Sequence, residues 1–204
     1  HLEAIAARVA RLDRLDPEAP YVGEAERFVA ADLRPAWDGV RQSIEHSART
    51  QGPALDRRLT RAEVCVSPSD FGFHNTLLTS GGLAVFDFEY AGVDDPAKLV
   101  CDMFCQPQVP VPAHLFDHTI ARLADLFGGD GTFEQRCRLL LDAYRIKWIC
   151  IMLNEFVATD AARRAFAQGD DTRRAERCAE QLDKVRAALG AIAAPRAGAD
   201  RQTG

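Results

Sequence analysis

Apolar positions Ile5, Val9 and Leu12 recur at helical spacing among Arg, Asp and Ala over residues 2–15, and Asp16-Pro17 ends the pattern. This predicts a short amphipathic helix. A second helical pattern covers 23–46, with Phe28, Leu33, Trp37, Val40 and Ile44 on its apolar side. Pro35 lies inside it; because proline lacks an amide hydrogen and collides with the preceding turn, the helix is expected to bend there or to split in two. Between 62 and 88 the period changes. The runs 63–67 and 83–88 predict short strands, and 76–79 followed by Ser80-Gly81-Gly82 predicts a hairpin with a glycine turn. Beyond residue 95 the patterns are helical again, over 95–105, 112–127, 133–159, 161–168 and 171–189, parted by short Pro, Gly and Asp breaks. The tail 194–204 has no apolar period and is expected to be disordered.

The predicted fold class is therefore α+β and mainly α: a helical body carrying a small β-hairpin region at one edge, in which the polar residues concentrate. The segments are a helical stretch over 1–60, a core over 61–193 and the tail 194–204.

Bulk properties narrow the function. A chain of 204 residues can bury a core without disulfide staples. A net charge of -5 offers no electrostatic footprint for nucleic acid, so no DNA or RNA partner is expected. The six cysteines, Cys65, Cys101, Cys105, Cys137, Cys150 and Cys178, form no C-x-x-C pair and read neither as a zinc site nor as a disulfide framework. A reducing, cytoplasmic setting fits them best. The longest apolar run, 148–153, is far below the roughly 20 residues of a membrane span, and charges stand where a signal peptide has its apolar region. A soluble protein that is neither exported nor membrane-bound is expected.

The loop Ser67-Pro68-Ser69-Asp70-Phe71-Gly72-Phe73-His74-Asn75 lies between apolar runs, and loops held by a scaffold are where chemistry tends to sit. An Asp followed five residues later by Asn has a use in phosphoryl transfer. The Asp accepts the proton of the attacking hydroxyl, and the Asn oxygen helps to hold magnesium on the nucleotide phosphates. Asp87, twelve residues beyond Asn75, is expected at the end of the second strand and beside Asn75 across the hairpin. It would supply the second ligand, since magnesium takes hard oxygen donors and few protein carboxylates.

The run from Ser69 to Leu78, followed by Val85-Phe86-Asp87-Phe88-Glu89-Tyr90-Ala91-Gly92-Val93-Asp94-Asp95-Pro96, resembles the aminoglycoside and choline kinase-like phosphotransferases, whose catalytic lobe has H-G-D-x-x-x-x-N, a strand ending in I-D-[FW] and a G-x-x-D-P turn opening a helix. The resemblance implies the C-terminal lobe of a protein-kinase-like fold, ATP and Mg2+ as cofactors, and a small-molecule hydroxyl as acceptor. It implies Asp70 as catalytic base, Asn75 and Asp87 as metal ligands and Asp95-Pro96 as the cap of the next helix. His74, inside the loop, would contact phosphate, orient Asp70 or make a purely structural hydrogen bond.

Three departures from that pattern matter. Pro68-Ser69 replaces the His-Gly before the catalytic Asp. Lys98-Leu99 follows where an acid is often found after Asp-Pro, and an acid returns only at Asp102. The first 60 residues contain no β-run, no G-x-G and no lysine, whereas such a kinase needs an N-terminal lobe with those features. The start at His1 fits a fragment whose N-lobe precedes it, or a tag residue. A lone lobe is expected to have sharply reduced ATP affinity and to self-associate through its exposed apolar surface.

Rival readings are a non-catalytic kinase-like binding module and, ranked last, a metal-dependent hydrolase. Other candidates are weaker. His114 and His118 flank Asp117 at helical spacing without a third ligand. The acids Asp87, Glu89, Asp94 and Asp95 would attract a cationic substrate. Tyr144, Asn154 and Glu155 are pocket candidates that read more simply as solvent-facing helix positions.

Overall fold

A computed structural model of the chain describes residues 1–50, 56–127, 129, 131–158 and 173–193. The described part is mainly helical with two short antiparallel strand pairs. It forms two compact units, one of His1–Ile5 and Trp37–Tyr144, the other of Ala6–Ala36 and Arg145–Gly204. Among the described residues no helix is long and apolar enough to cross a membrane.

In the first unit three helices build the core: α4 (Pro96–Cys105), α5 (Phe116–Ala124) and α6 (Thr132–Met152). The three that precede them are α1 (Leu2–Arg11), α2 (Val22–Phe28) and α3 (Arg34–Thr50). Helix α4 begins where it does because Asp95 caps it, its carboxylate accepting the Ala97 amide at 2.9 Å, with Pro96 in the first turn, where its missing amide hydrogen costs nothing. Ala97, Val100 and Cys101 then share one face, as do Phe116 and Ile120 on α5 and Phe133, Cys137, Leu140, Leu141 and Tyr144 on α6. Phe104 meets Phe116 edge-on at 5.2 Å, and Phe127 tilts against Phe133 at 5.1 Å. Each fully buried Val, Ile, Leu or Phe among them contributes about 1.5–3 kcal/mol by leaving water.

The strands β1 (Cys65–Ser67) and β4 (Gly92–Asp94) pair antiparallel, Cys65 opposite Asp94, and between them in sequence β2 (Thr76–Thr79) and β3 (Gly82–Val85) form the hairpin. At its turn Gly82 takes φ +116, which a side chain would resist, and Thr79 Oγ1 donates to the Gly82 carbonyl at 2.8 Å. Two features differ from the sequence reading. Strand β4 was not anticipated, because Gly-Val-Asp is too short to show alternation and is extended through its pairing with β1. The predicted strand 83–88 stops at Val85.

In the second unit, α2 passes into a wider, π-type turn over Val29–Leu33 before α3. Pro35 cannot donate to the carbonyl four residues back, and the extra residue in the preceding turn absorbs the mismatch, so the helix is divided without a sharp break. Helix α6 ends at Met152 and tightens into a 3-10 turn, Leu153–Phe156, short of the predicted 159. The Phe156 carbonyl there accepts the Asp16 amide at 2.7 Å. A last helix, α7, spans Arg174–Ala193. Glu155, buried in the 3-10 turn, accepts from Arg177 Nε at 3.0 Å, and Arg186 donates to Glu24 at 2.7 Å. The predicted helix 161–168 and the tail 194–204 lie outside the described residues.

Candidate active site

Strand β1 delivers the chain to Ser67, whose hydroxyl accepts the Ser69 amide at 3.0 Å and turns the backbone sharply after Pro68. Ser69 takes φ 73, and Asp70 follows with its side chain half exposed. A 3-10 turn, Phe73–Asn75, then leads into β2, closed by the Asn75 amide on the Gly72 carbonyl at 3.0 Å. The Asn75 side chain is buried and folds back: its Nδ2 donates to the Asp70 carbonyl at 2.9 Å. His74 Nε2 stands 3.4 Å from Asp70 Oδ1, with the His74 side chain 8% exposed. The loop therefore brings Asp70, His74 and Asn75 together.

Gly72 is required here for space. Its φ of 174 is extended backbone open to any residue, but a Cβ would lie 2.6 Å from His74 Nδ1 and 3.0 Å from Gln106 Cγ. The sequence suggested only a turn-forming glycine.

Asp87 is tied to this loop through the hairpin. The Asn75 carbonyl accepts the Phe86 amide at 3.0 Å, so Asp87 follows directly on the backbone partner of Asn75. It is not a strand-end residue: it lies two positions past β3, exposed, with φ 62. Three non-glycine residues among the described ones have positive φ, Tyr21, Ser69 and Asp87, and two of these border the candidate site. Such residues cost of order 1–3 kcal/mol and persist where the surroundings impose them, often at functional positions. Aspartate tolerates this conformation better than most side chains.

Asn75 and Asp87 are the residues here that could hold a hard divalent cation. The Asn75 nitrogen is engaged with the Asp70 carbonyl, so its amide oxygen would be the ligating atom, and Asp87 offers an exposed carboxylate. Among the described residues no group of three or more His, Cys, Asp or Glu is placed to hold a metal ion, so a magnesium site would rest on this amide–carboxylate pair with water and phosphate oxygens.

Beneath the loop lies a layer of charge that the sequence reading did not assign. Lys98 Nζ donates to the Ser69 carbonyl at 2.9 Å and stands 2.9 Å from Asp94 and 3.7 Å from the fully buried Asp102. The spacing of Lys98 and Asp102 was the available clue, since residues four apart share a helix face. Arg136 lies 3.3 Å from Asp95 and 3.8 Å from Glu63. Burial pushes the Asp95 carboxyl up, opposed by the Ala97 amide and by Arg136. The Arg57 guanidinium, with the amide and hydroxyl of Thr60, holds the Glu63 carboxyl far below the usual range.

The remaining candidates separate from this site. His114 sits in the 3-10 turn Ala113–Leu115 and His118 in α5, both exposed, and Asp117 between them pairs with Arg138 at 3.1 Å. Tyr144 is buried and hydrogen-bonded to His1 at 2.8 Å, and Glu155 is buried against Arg177, so neither is the solvent-facing position expected. Burial pushes the thiols of Cys137 and Cys150 up to about 12 and that of Cys178 up to about 11, which leaves them inert as nucleophiles at neutral pH. No family model matches the chain, nor does a curated protein or a solved structure.

Proposed function

We propose that this chain is the catalytic lobe of an ATP- and magnesium-dependent phosphotransferase that acts on a hydroxyl of a small molecule, on a protein-kinase-like scaffold of the aminoglycoside phosphotransferase type. The observation that supports this is the backbone path Asp70–Asn75–Phe86–Asp87, which links the three residues through one loop and one hairpin.

In the reaction the acceptor oxygen bonds the γ-phosphorus as the bond to the β,γ-bridging oxygen breaks, giving a phosphate monoester and ADP. Asp70, half exposed and followed by a constrained turn, accepts the hydroxyl proton and releases it to solvent. His74, with Nε2 3.4 Å from Asp70 Oδ1, would orient the Asp70 carboxylate. Asn75 and Asp87 would hold magnesium, which when bound neutralises charge on the phosphates. The exposed acids Asp87 and Glu89 favour a cationic acceptor such as an amino sugar or amino alcohol.

A second reading, a non-catalytic binding module on the same scaffold, is favoured by the apolar surface of the strand region, where Leu78 is 85% and Val66 75% exposed. The same surface is the basis for expecting self-association.

The test is transfer of label from γ-labelled ATP to a panel of aminoglycosides and amino alcohols, using the longest open reading frame that contains this chain. Labelled monoester formed only with magnesium supports the kinase reading; label that stays in ATP across the panel, with nucleotide bound, counts against it.

A further inference from the structure

We infer that Lys98 is a positioning residue for Asp70, clamping the peptide that leads into the base. This rests on the phosphotransferase reading for its catalytic consequence, while the clamp itself is a matter of geometry. The Ser69 carbonyl belongs to the peptide whose nitrogen is that of Asp70, so a rotation of that plane moves the Asp70 Cα directly. Lys98 Nζ donates to this carbonyl at 2.9 Å and lies 3.4 Å from the Ser69 hydroxyl. Its other contacts are carboxylates: Asp94 at 2.9 Å on β4 and Asp102 at 3.7 Å on α4.

The anchor and the load differ in rigidity. Asp102 is 0% exposed and follows Cys101, which is part of the helical core, so its carboxylate is fixed by packing. Ser69 sits at φ 73 in a loop, a conformation its own backbone does not favour. A lysine side chain only 15% exposed, with carboxylates on the core side and a carbonyl on the loop side, transmits the position of the core to the loop. A solvated surface lysine would satisfy the same carboxylates without reaching the loop.

A merely structural role is the rival, since Lys98 also faces a buried carboxylate whose charge is costly without a cation nearby. Two substitutions separate the roles. Lys98→Met removes the clamp and the cation; Lys98→Met with Asp102→Asn removes the clamp but also the buried charge. The assay is phosphate release from Mg–ATP with water as acceptor, in the longest reading frame containing the chain, with Asp70→Asn as reference, alongside hydrogen exchange at the amides of 70–75.

The clamp predicts a kcat lower by about 10²-fold in both variants, of the order that a displacement of about 1 Å causes, with KM for ATP little changed. It also predicts faster exchange at 70–75 in both, and partial recovery in Lys98→Arg. Recovery of wild-type kcat and exchange in the double variant would overturn it, because Lys98 would then serve only to neutralise Asp102. If Asp70→Asn leaves phosphate release unchanged, or the parent releases none, phosphate release does not report on the clamp and exchange alone decides: faster exchange in the double variant upholds the clamp, unchanged exchange overturns it.

Discussion

Replacing Asp70 by Asn is expected to lower phosphoryl transfer by about 10²–10⁴-fold while nucleotide affinity and thermal stability stay close to the parent's. The substitution keeps size and shape but removes the carboxylate proposed to take the hydroxyl proton. It leaves the fold largely untouched because the Asp70 side chain is 50% exposed, and the tie from Asn75 runs to the Asp70 main-chain carbonyl, which the variant retains. Steady-state kinetics with labelled ATP measure the effect, with calorimetry as control for binding. A loss below about tenfold would mean that Asp70 is not the base.

The largest effect on stability is expected from Phe133→Ala in α6, at about 3–5 kcal/mol. Phe133 is 1% exposed, lies in the core shared by α4, α5 and α6, and packs against Phe127. Alanine keeps the helix, so the loss is one of transfer and cavity alone. Urea unfolding followed by circular dichroism would record it as a lower midpoint, and a change under about 1 kcal/mol would show that this end of the core can collapse onto the gap.

The helices were legible because their signals are local or periodic. Ala97, Val100 and Cys101, then Phe116 and Ile120, fall at helical spacing, and Asp95-Pro96 marks a helix start by chemistry confined to two residues. What was not legible depends on partners distant in sequence. Strand β4 exists because β1 lies beside it, and three residues carry no period. The end of α6 at Met152 falls inside the apolar run 148–153, and the 3-10 turn that follows it is held by a hydrogen bond from the Asp16 amide to the Phe156 carbonyl, a partner distant in sequence.

The site divides in the same way. Asp70 and Asn75 could be found from residue type and spacing, and the loop joins them. The left-handed backbone of Asp87, the need for an empty space at Gly72 and the reach of Lys98 to Ser69 are tertiary facts that no spacing encodes. Pro68-Ser69 before Asp70 and the lysine after Asp95-Pro96, two departures from the pattern the sequence resembles, meet in one contact: Lys98 reaches Ser69, which precedes Asp70.

The central claim is a magnesium–nucleotide site on Asn75 and Asp87, and its most direct test is titration calorimetry of ATP with and without magnesium, on the longest reading frame containing this chain and on its Asp87→Ala variant. The account predicts magnesium-dependent binding that the variant loses. Absence of nucleotide binding with Asp70, Asn75 and Asp87 intact, or binding that Asp87→Ala leaves unchanged, would contradict it, and absence of binding would leave the binding-module reading in its place.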